Sequence, residues 1–577
     1  MILQALTAYY EDLARSGKIA RQGWGKSRIS YALELGEGGE VRRVIPLETA
    51  DEKGKPKPRE MELPAPVKRT VGVASNFLWD NGSYLLGHAK DAAKDSRAEK
   101  CFAAAKKLHL SLLSGSQDPF AQAICRFYEN YDPALGSTDP VLAGEWENLI
   151  SGCNLTFAYG DQYPGDNEAL AHAWESHYGQ DAEGEKLRCL ITGEPAVPEK
   201  THPAIKRLYG AQSSGAALVS FNAPAFCSYG REQNENAPVG QYGAFAYTAA
   251  LNDLLSDRRH YRRIGGDTYV FWAEGAEEQY EDAFGAFLDG GSEKVKDEDL
   301  ASVMDALAGK KLCQWENLPL NPENRFYVLG LAPNAARISV RFFLQDSFGV
   351  FAQRLKAHYD RLEIIRPSFD TRTQLPLWLL LQETVNQQSR DKTPSSQMAA
   401  DTLRAILTGG RYPATLFQQT MLRIRAEHDI TRGKAAIIKA YLLRNDTQQN
   451  RMEALTVKLN DDCNYLPYVL GRLFSVLEDI QQQANPGINT TIKDRYFSSA
   501  SATPAVVFPV LLNLAEKHQK KLSAGQKVYN SKRLQDLLGR IRESYPTHLT
   551  LSDQGIFQLG YYHETQKRYS GSKAGQE

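Results

Sequence analysis

Apolar residues Ile2, Leu3, Leu6, Tyr9, Tyr10 and Leu13 recur every three or four positions, which predicts an amphipathic first helix. Ile29–Leu35 and Val41–Leu47 instead alternate and are rich in β-formers. Gly36-Glu37-Gly38-Gly39 between them reads as the turn of a hairpin. Residues 51–68 hold four prolines among charges and read as a loop. Thr268–Ala273 reads as a buried strand. Phe326–Leu331 and Ala336–Phe343 read as two strands around Ala332–Ala335, with helices over 116–130 and 243–255. The acidic stretch 275–300 reads as a solvated loop or helix face.

The texture changes near residue 365. Helical periodicity then runs through 374–388, 397–408, 412–427, 433–443, 465–484, 493–500, 504–521 and 524–542, and the last ten residues read as a polar tail. Breaks fall at glycine and proline, as at Gly409-Gly410 and Asn485-Pro486-Gly487. The expected fold class is α+β. A mixed α/β N-terminal domain spans 1–364 and an all-helical C-terminal bundle spans 365–577. No internal repeat is evident.

Composition narrows the class. The chain has 577 residues, 42% hydrophobic and 24% charged, which excludes a disordered chain, a collagen-like fibre and a multi-span membrane protein. Its net charge of -1 argues at first against a nucleic-acid partner. The average is misleading. Residues 361–577 hold 29 Lys+Arg against 20 Asp+Glu, a net of +9, which leaves 1–360 with a net of -10. Such asymmetry points to a charged partner. Seven cysteines, none in a CxxC pair, argue against a disulfide framework or a zinc site and for a reduced, cytoplasmic setting. The N-terminus lacks a signal-peptide pattern, and no apolar run is long enough to span a membrane.

Enzyme chemistry finds little support. Ala20–Ser27 ends in Gly25-Lys26-Ser27, like a phosphate loop, but a helix precedes it and a strand follows, the reverse of what that loop needs. His428-Asp429 suggests a metal-dependent phosphohydrolase, yet further converging ligands are not apparent and a turn between helices fits the dyad better. There is no GxSxG or HExxH motif. No catalytic residue, metal site or cofactor is expected.

Three stretches suit nucleic acid better. Phe221–Tyr247 carries Ser228, Tyr229, Gln233, Asn234, Asn236 and Gln241 with several glycines. Amides offer donor and acceptor to base edges, and a loop this long is usually functional, although turns also favour Asn and Gly. Lys68–Gly87 places Lys68 and Arg69 for phosphate and Ser75, Asn76, Asn81 and Tyr84 for bases or backbone. Its aromatics are either core or stacking rings, and Asn81-Gly82 also reads as a hairpin turn. Asp257–Arg263 clusters Arg258, Arg259, Arg262 and Arg263 around Tyr261, either for phosphate or for pairing with the acidic 275–300 stretch. The helical half adds Lys520, Lys521, Lys532 and Arg533 among many cations. Arg231 completes the expected backbone contacts.

Residues 75–87, 220–255, 266–274, 326–343, 434–445 and 466–481 resemble the Csd1-type large subunit of the type I-C CRISPR surveillance complex, or Cascade. The likeness runs from the first helix to about residue 545, and 220–255 (SFNAPAFCSYGREQNENAPVGQYGAFAYTAALNDLL) is its most specific part. The resemblance implies a non-catalytic subunit of a crRNA-guided assembly. Such a subunit recognises a protospacer-adjacent motif in double-stranded DNA, helps open the duplex, holds the displaced strand and recruits a separate helicase–nuclease. Its partners would be the crRNA-bearing backbone subunits and a small subunit, with no membrane. Motif readout is carried to the 75–84 and 228–242 segments. The family also makes its small subunit by internal translation. Met452 would give a 126-residue product with 15 Lys+Arg and 12 Asp+Glu. Two other classes stay open: a nucleotide- or metal-dependent nuclease using Lys26 or His428, and a scaffold without DNA contact.

Overall fold

The computed structural model describes residues 1–50, 56–67, 72–91, 94–178, 184–221, 223–291, 297–542 and 544–571. The chain forms two compact units. One comprises Met1–Pro203 with Val219–Ala250, the other Ala204–Leu218 with Leu251–Glu577.

The first unit opens with the expected amphipathic helix, Ile2–Arg15, which buries Leu6, Tyr9, Tyr10 and Leu13. The expected hairpin forms from Tyr31–Leu35 and Val41–Pro46, and Gly39 takes a φ of 83° at its turn. Tyr31–Leu35 also pairs in parallel with Asn154–Ala158, whose other neighbour is Trp79–Asn81. Helices Asp95–Leu113, Pro119–Asn130 and Glu168–Tyr178 pack their rings on this sheet, with Phe77, Tyr128 and Phe157 fully buried.

A second sheet corrects one expectation. The proline-rich 51–68 stretch contains a strand, Pro56–Pro64, between Trp24–Ile29 and Glu48–Ala50. Its register with Trp24–Ile29 ends at Arg59. Pro58 lies beyond that end, where one side has no ladder for a missing N–H to break. Residues 51–55 and 68 of that stretch lie outside the described residues.

The second unit has a four-stranded antiparallel sheet in the order Tyr261–Ile264, Asp267–Ala273, Arg325–Asn334 and Arg337–Ser347. The expected strand pair is the last hairpin, closed by Ala335 at a φ of 52°. One sheet face presents Phe271 and Phe326 to helices Gln279–Asp289 and Phe348–Leu362, where Phe284, Phe348 and Phe351 meet them. The acidic 275–300 stretch is therefore not simply solvated. Its helix puts Tyr280, Phe284 and Phe287 in the core and buries Glu281 completely.

Helices Leu377–Gln382, Ser396–Thr408, Ala414–Glu427, Arg432–Asn445, Leu466–Ala484, Ile492–Ala502, Pro504–Gln519 and Ala524–Gly539 follow the predicted order. They share one core with the sheet, so it includes residues on both sides of position 364. The polar tail expected over the last ten residues is helical as far as the structure describes it. Leu551–Gly571 forms a long final helix that the sequence pattern missed. It crosses Leu466–Ala484 so closely that a Cβ on Gly471 would lie 2.0 Å from the Phe557 carbonyl oxygen, and one on Gly560 2.2 Å from that of Tyr468. With no side chain, these glycines permit the contact.

Candidate nucleic-acid interface

The 228–236 loop in the first unit is polar and exposed, yet closely held. The Arg231 N–H donates to the Ser228 carbonyl at 3.1 Å. Tyr229 and Gly230 take φ of 57° and 71°, the double left-handed geometry of a type I′ turn. For a tyrosine this geometry costs about 1–2 kcal/mol relative to glycine. The Asn236 side chain compensates. Its Oδ1 accepts from the Ser228 N–H at 2.8 Å, and its Nδ2 donates to the carbonyls of Gln233 at 2.9 Å and Arg231 at 3.2 Å. A 3-10 turn, Gln233–Asn236, closes through the Glu232 N–H to Glu235 Oε2 at 3.0 Å. Asn234 is buried and donates to the Glu199 carbonyl at 3.1 Å. The result is a tip from which Tyr229 projects fully into solvent, with Ser228, Arg231 and Gln233 exposed beside it.

The amides expected as readers thus divide. Asn236 spends its polar atoms on the loop itself, and Asn234 ties the loop to the Glu199 carbonyl. Gln233 remains available at its rim, and Gln241 stands half-buried at the start of the Gln241–Leu254 helix. Phe226, beside them and about half exposed, was not singled out by its residue type.

The 75–84 candidates face inward. Ser75, Asn76 and Tyr84 are buried. Ser75 Oγ donates to the Asn76 carbonyl at 2.7 Å, and Asn76 Oδ1 accepts from the Val67 N–H at 3.0 Å. Asn81 does not turn a hairpin. It caps the Gly82–Leu85 helix by accepting from the Ser83 N–H at 3.0 Å. Beneath them Leu78 adopts a φ of 67°, its N–H donating to His109 Nε2 at 2.8 Å and its carbonyl accepting from Thr156 Oγ1 at 2.9 Å. Burial lowers the His109 pKa to about 4, so the imidazole stays neutral and accepts at Nε2. Lys68 and Arg69 lie outside the described residues.

The arginine cluster of the second unit is partly spent on the acidic stretch, one of the two outcomes foreseen. Arg259 pairs with Asp257 at 2.7 Å and with Glu278, and its hydrogen bond holds the Asp257 carboxyl below the usual range. Arg262 pairs with Asp289 at 2.8 Å. Arg263 lies over the rings of Tyr209 and Tyr261 at 4.8 and 5.6 Å, and both Arg263 and Arg258 are exposed. In the helices Arg533 is structural, held by Asp479 at 2.6 Å and Glu564 at 3.4 Å. Lys520, Lys521 and Lys532 are exposed, and Lys521 donates to Asn485 at 2.9 Å.

A family model described as "CRISPR-associated protein (Cas_Csd1)" matches residues 6–569. The chain belongs to the Csd1 family of CRISPR-associated proteins. The match in this Csd1-family chain takes in the 228–236 loop, the arginine cluster and the C-terminal helices as far as residue 569. No curated protein matches the chain.

The alternative enzyme residues are placed as follows. Gly25-Lys26-Ser27 sit inside the Trp24–Ile29 strand, with Lys26 opposite Glu62, and no helix N-terminus follows them. His428 ends the Ala414–Glu427 helix in the left-handed conformation, its N–H on the Ile424 carbonyl at 2.8 Å. Among the described residues no group of three or more His, Cys, Asp or Glu could hold a metal ion, and no helix is long and apolar enough to cross a membrane.

Proposed function

We propose that this Csd1-family chain is the non-catalytic large subunit of a cytoplasmic, crRNA-guided Cascade of type I-C. In this reading it recognises the adjacent motif in double-stranded DNA, promotes duplex opening and R-loop formation, and holds the displaced strand. It sits on the crRNA-bearing backbone with a small subunit and recruits the helicase–nuclease. The observation that carries the reading is the 228–236 loop. A fully exposed tyrosine is fixed in a strained conformation and flanked by Gln233 and Arg231. Strain of this kind persists where the surroundings over-determine it and concentrates at functional positions. A projecting ring suits insertion at a base step, and amide and guanidinium beside it suit groove edges.

The test uses the assembled complex on duplex targets with and without the motif. Tyr229→Ala and Gln233→Ala are expected to weaken motif-bearing targets by about 1–3 kcal/mol per lost base contact, with little change on motif-free DNA. Equal loss on both would reduce the loop to a backbone contact. No change on either would remove it from the interface.

A further inference from the structure

A cavity of about 1000 Å³ opens in the second unit, lined by the 367–379 segment, the first turn of Arg432–Asn445 and the end of Leu551–Gly571. Its floor is electrostatically matched. Arg432 bonds Asp370 at 2.9 Å and the carbonyls of Arg372 and Thr373 at 2.7 and 2.9 Å. Glu478 accepts from Tyr561 Oη at 2.6 Å and Thr491 Oγ1 at 2.9 Å.

The mouth is different. Phe369 is 86% exposed there, although it is a large apolar ring. Tyr569 is 57% exposed on the opposite element. The Arg372 guanidinium lies 6.0 Å from the centre of the Trp378 ring, itself 45% exposed, and no carboxylate of the described residues is within ion-pair distance of it. Lys493 lies over the Tyr561 ring at 5.1 Å and reaches Asp429 only at 4.0 Å. Asp370, Glu383, Asp429 and Glu478 also line the cavity, but Asp370 is held by Arg432 and Glu478 by Tyr561 and Thr491. The exposed rings with Arg372 and Lys493, around a cavity of ligand size, match a ligand that is both aromatic and anionic.

We infer that this cavity takes a nucleotide, its base against Phe369 and its phosphate against Arg372 and Lys493. The source is a single strand crossing the rim. Arg366, exposed and donating to the Arg372 carbonyl at 3.3 Å, adds a further cation that a neighbouring phosphate would use and a mononucleotide would not. The inference deepens the strand-holding part of the proposed function but does not require the 228–236 loop.

The test uses the purified full chain, an iododeoxyuridine-substituted single-stranded oligonucleotide and deoxythymidine monophosphate. Photocrosslinks are mapped by mass spectrometry, and affinity is followed by fluorescence anisotropy for wild type, Phe369→Ala, Arg372→Ala and Leu312→Ala. Phe369 and Arg372 are solvent-facing, so their replacement should leave thermal unfolding unchanged. Crosslinks at Phe369 or Tyr569 are expected. Phe369→Ala should weaken oligonucleotide binding about 5-fold or more, while Leu312→Ala, at an exposed residue that does not line the cavity, should not change it. Saturable monophosphate binding without oligonucleotide binding would keep the site but assign it to a free nucleotide. Crosslinks elsewhere with unchanged affinity of Phe369→Ala, or no binding of either probe by wild type, would overturn the inference. Motif dependence in the assembled complex would still stand or fall with Tyr229 and Gln233.

Discussion

Every hydrogen bond of the Asn236 side chain stays within its own loop, yet its replacement by alanine should weaken target binding. The side chain makes three hydrogen bonds, to the Ser228 N–H and to the carbonyls of Arg231 and Gln233. At about 1 kcal/mol net for each, with water recovering part because the residue is only half-buried, the ordered loop loses roughly 1–2 kcal/mol. Against this works the left-handed Tyr229, which costs about 1–2 kcal/mol. The ordered tip then becomes a fraction of the population, and the apparent Kd for motif-bearing duplex rises about 5- to 10-fold. Global stability should hardly move, because the loop is peripheral. The decisive assay is a double-mutant cycle with Tyr229→Ala, read as target binding by the assembled complex. If Asn236 acts by presenting Tyr229, the second mutation costs little once the first is made, with a coupling of about 1 kcal/mol. Strict additivity would refute the reasoning and return Asn236 to direct contact with a base.

Gly471→Ala or Gly560→Ala should lower the unfolding midpoint sharply. Each Cβ meets backbone rather than a flexible side chain, so the helices must part by about 1 Å at a cost of about 3 kcal/mol. An unchanged melt would show the two helices to be less closely apposed than described. Burial raises the Glu281 pKa to about 8, beside His260 at 4.0 Å. The folded state therefore keeps a proton that the unfolded chain releases above its ordinary value near 4.5. Stability should fall by up to about 1.4 kcal/mol per pH unit as pH rises from there to about 8, and Glu281→Gln should flatten that slope in denaturant titrations at several pH values. Charge reversal at Lys520 and Lys521 should reduce retention of the displaced strand, and the salt dependence of binding, without altering motif preference. A synonymous change is impossible at a methionine codon, so Met452→Leu is the test of internal initiation. It should abolish a 126-residue C-terminal product on an immunoblot while the full chain persists, and a product of unchanged size would end the idea.

Periodicity made most of the helical half legible, because several helices there bury one face and proline or glycine punctuates them. It failed at Leu551–Gly571, a helix it did not predict, whose glycines serve contact: a Cβ at Gly555 would lie 3.0 Å from the Phe417 ring and one at Gly560 2.2 Å from the Tyr468 carbonyl oxygen. It failed again at 275–300, where the acidic count hid a helix whose aromatic stripe enters the core. Site residues were legible by type but not by direction. Asn76, Asn234 and Asn236 share the chemistry of Gln233, and only the fold shows that the three asparagines are consumed within the chain. Phe369 escaped notice because nothing local distinguishes a ring facing solvent from one facing the core.

The same limit applies to charge. Counting places +9 on residues 361–577 and -10 on the rest, but a count does not separate cations at work inside the protein from those facing outward. Arg472, almost fully buried, is held by Asp461 at 2.8 Å and Glu564 at 3.0 Å. Arg451 pairs with Asp553 at 2.9 Å and with Asp446, and Arg533 with Asp479. Burying such pairs stabilises little over an apolar core and offers no charge to a phosphate. The field available to a nucleic acid therefore comes from the cations that face outward, among them Lys517, Lys520, Lys521, Lys527 and Lys532, with Arg258, Arg263, Arg366 and Arg372 elsewhere in the same unit. Because all of these reach solvent on long side chains, they suit a partner whose phosphates recur and whose sequence does not matter. The constrained tip at Tyr229, by contrast, suits recognition that depends on one place and one geometry.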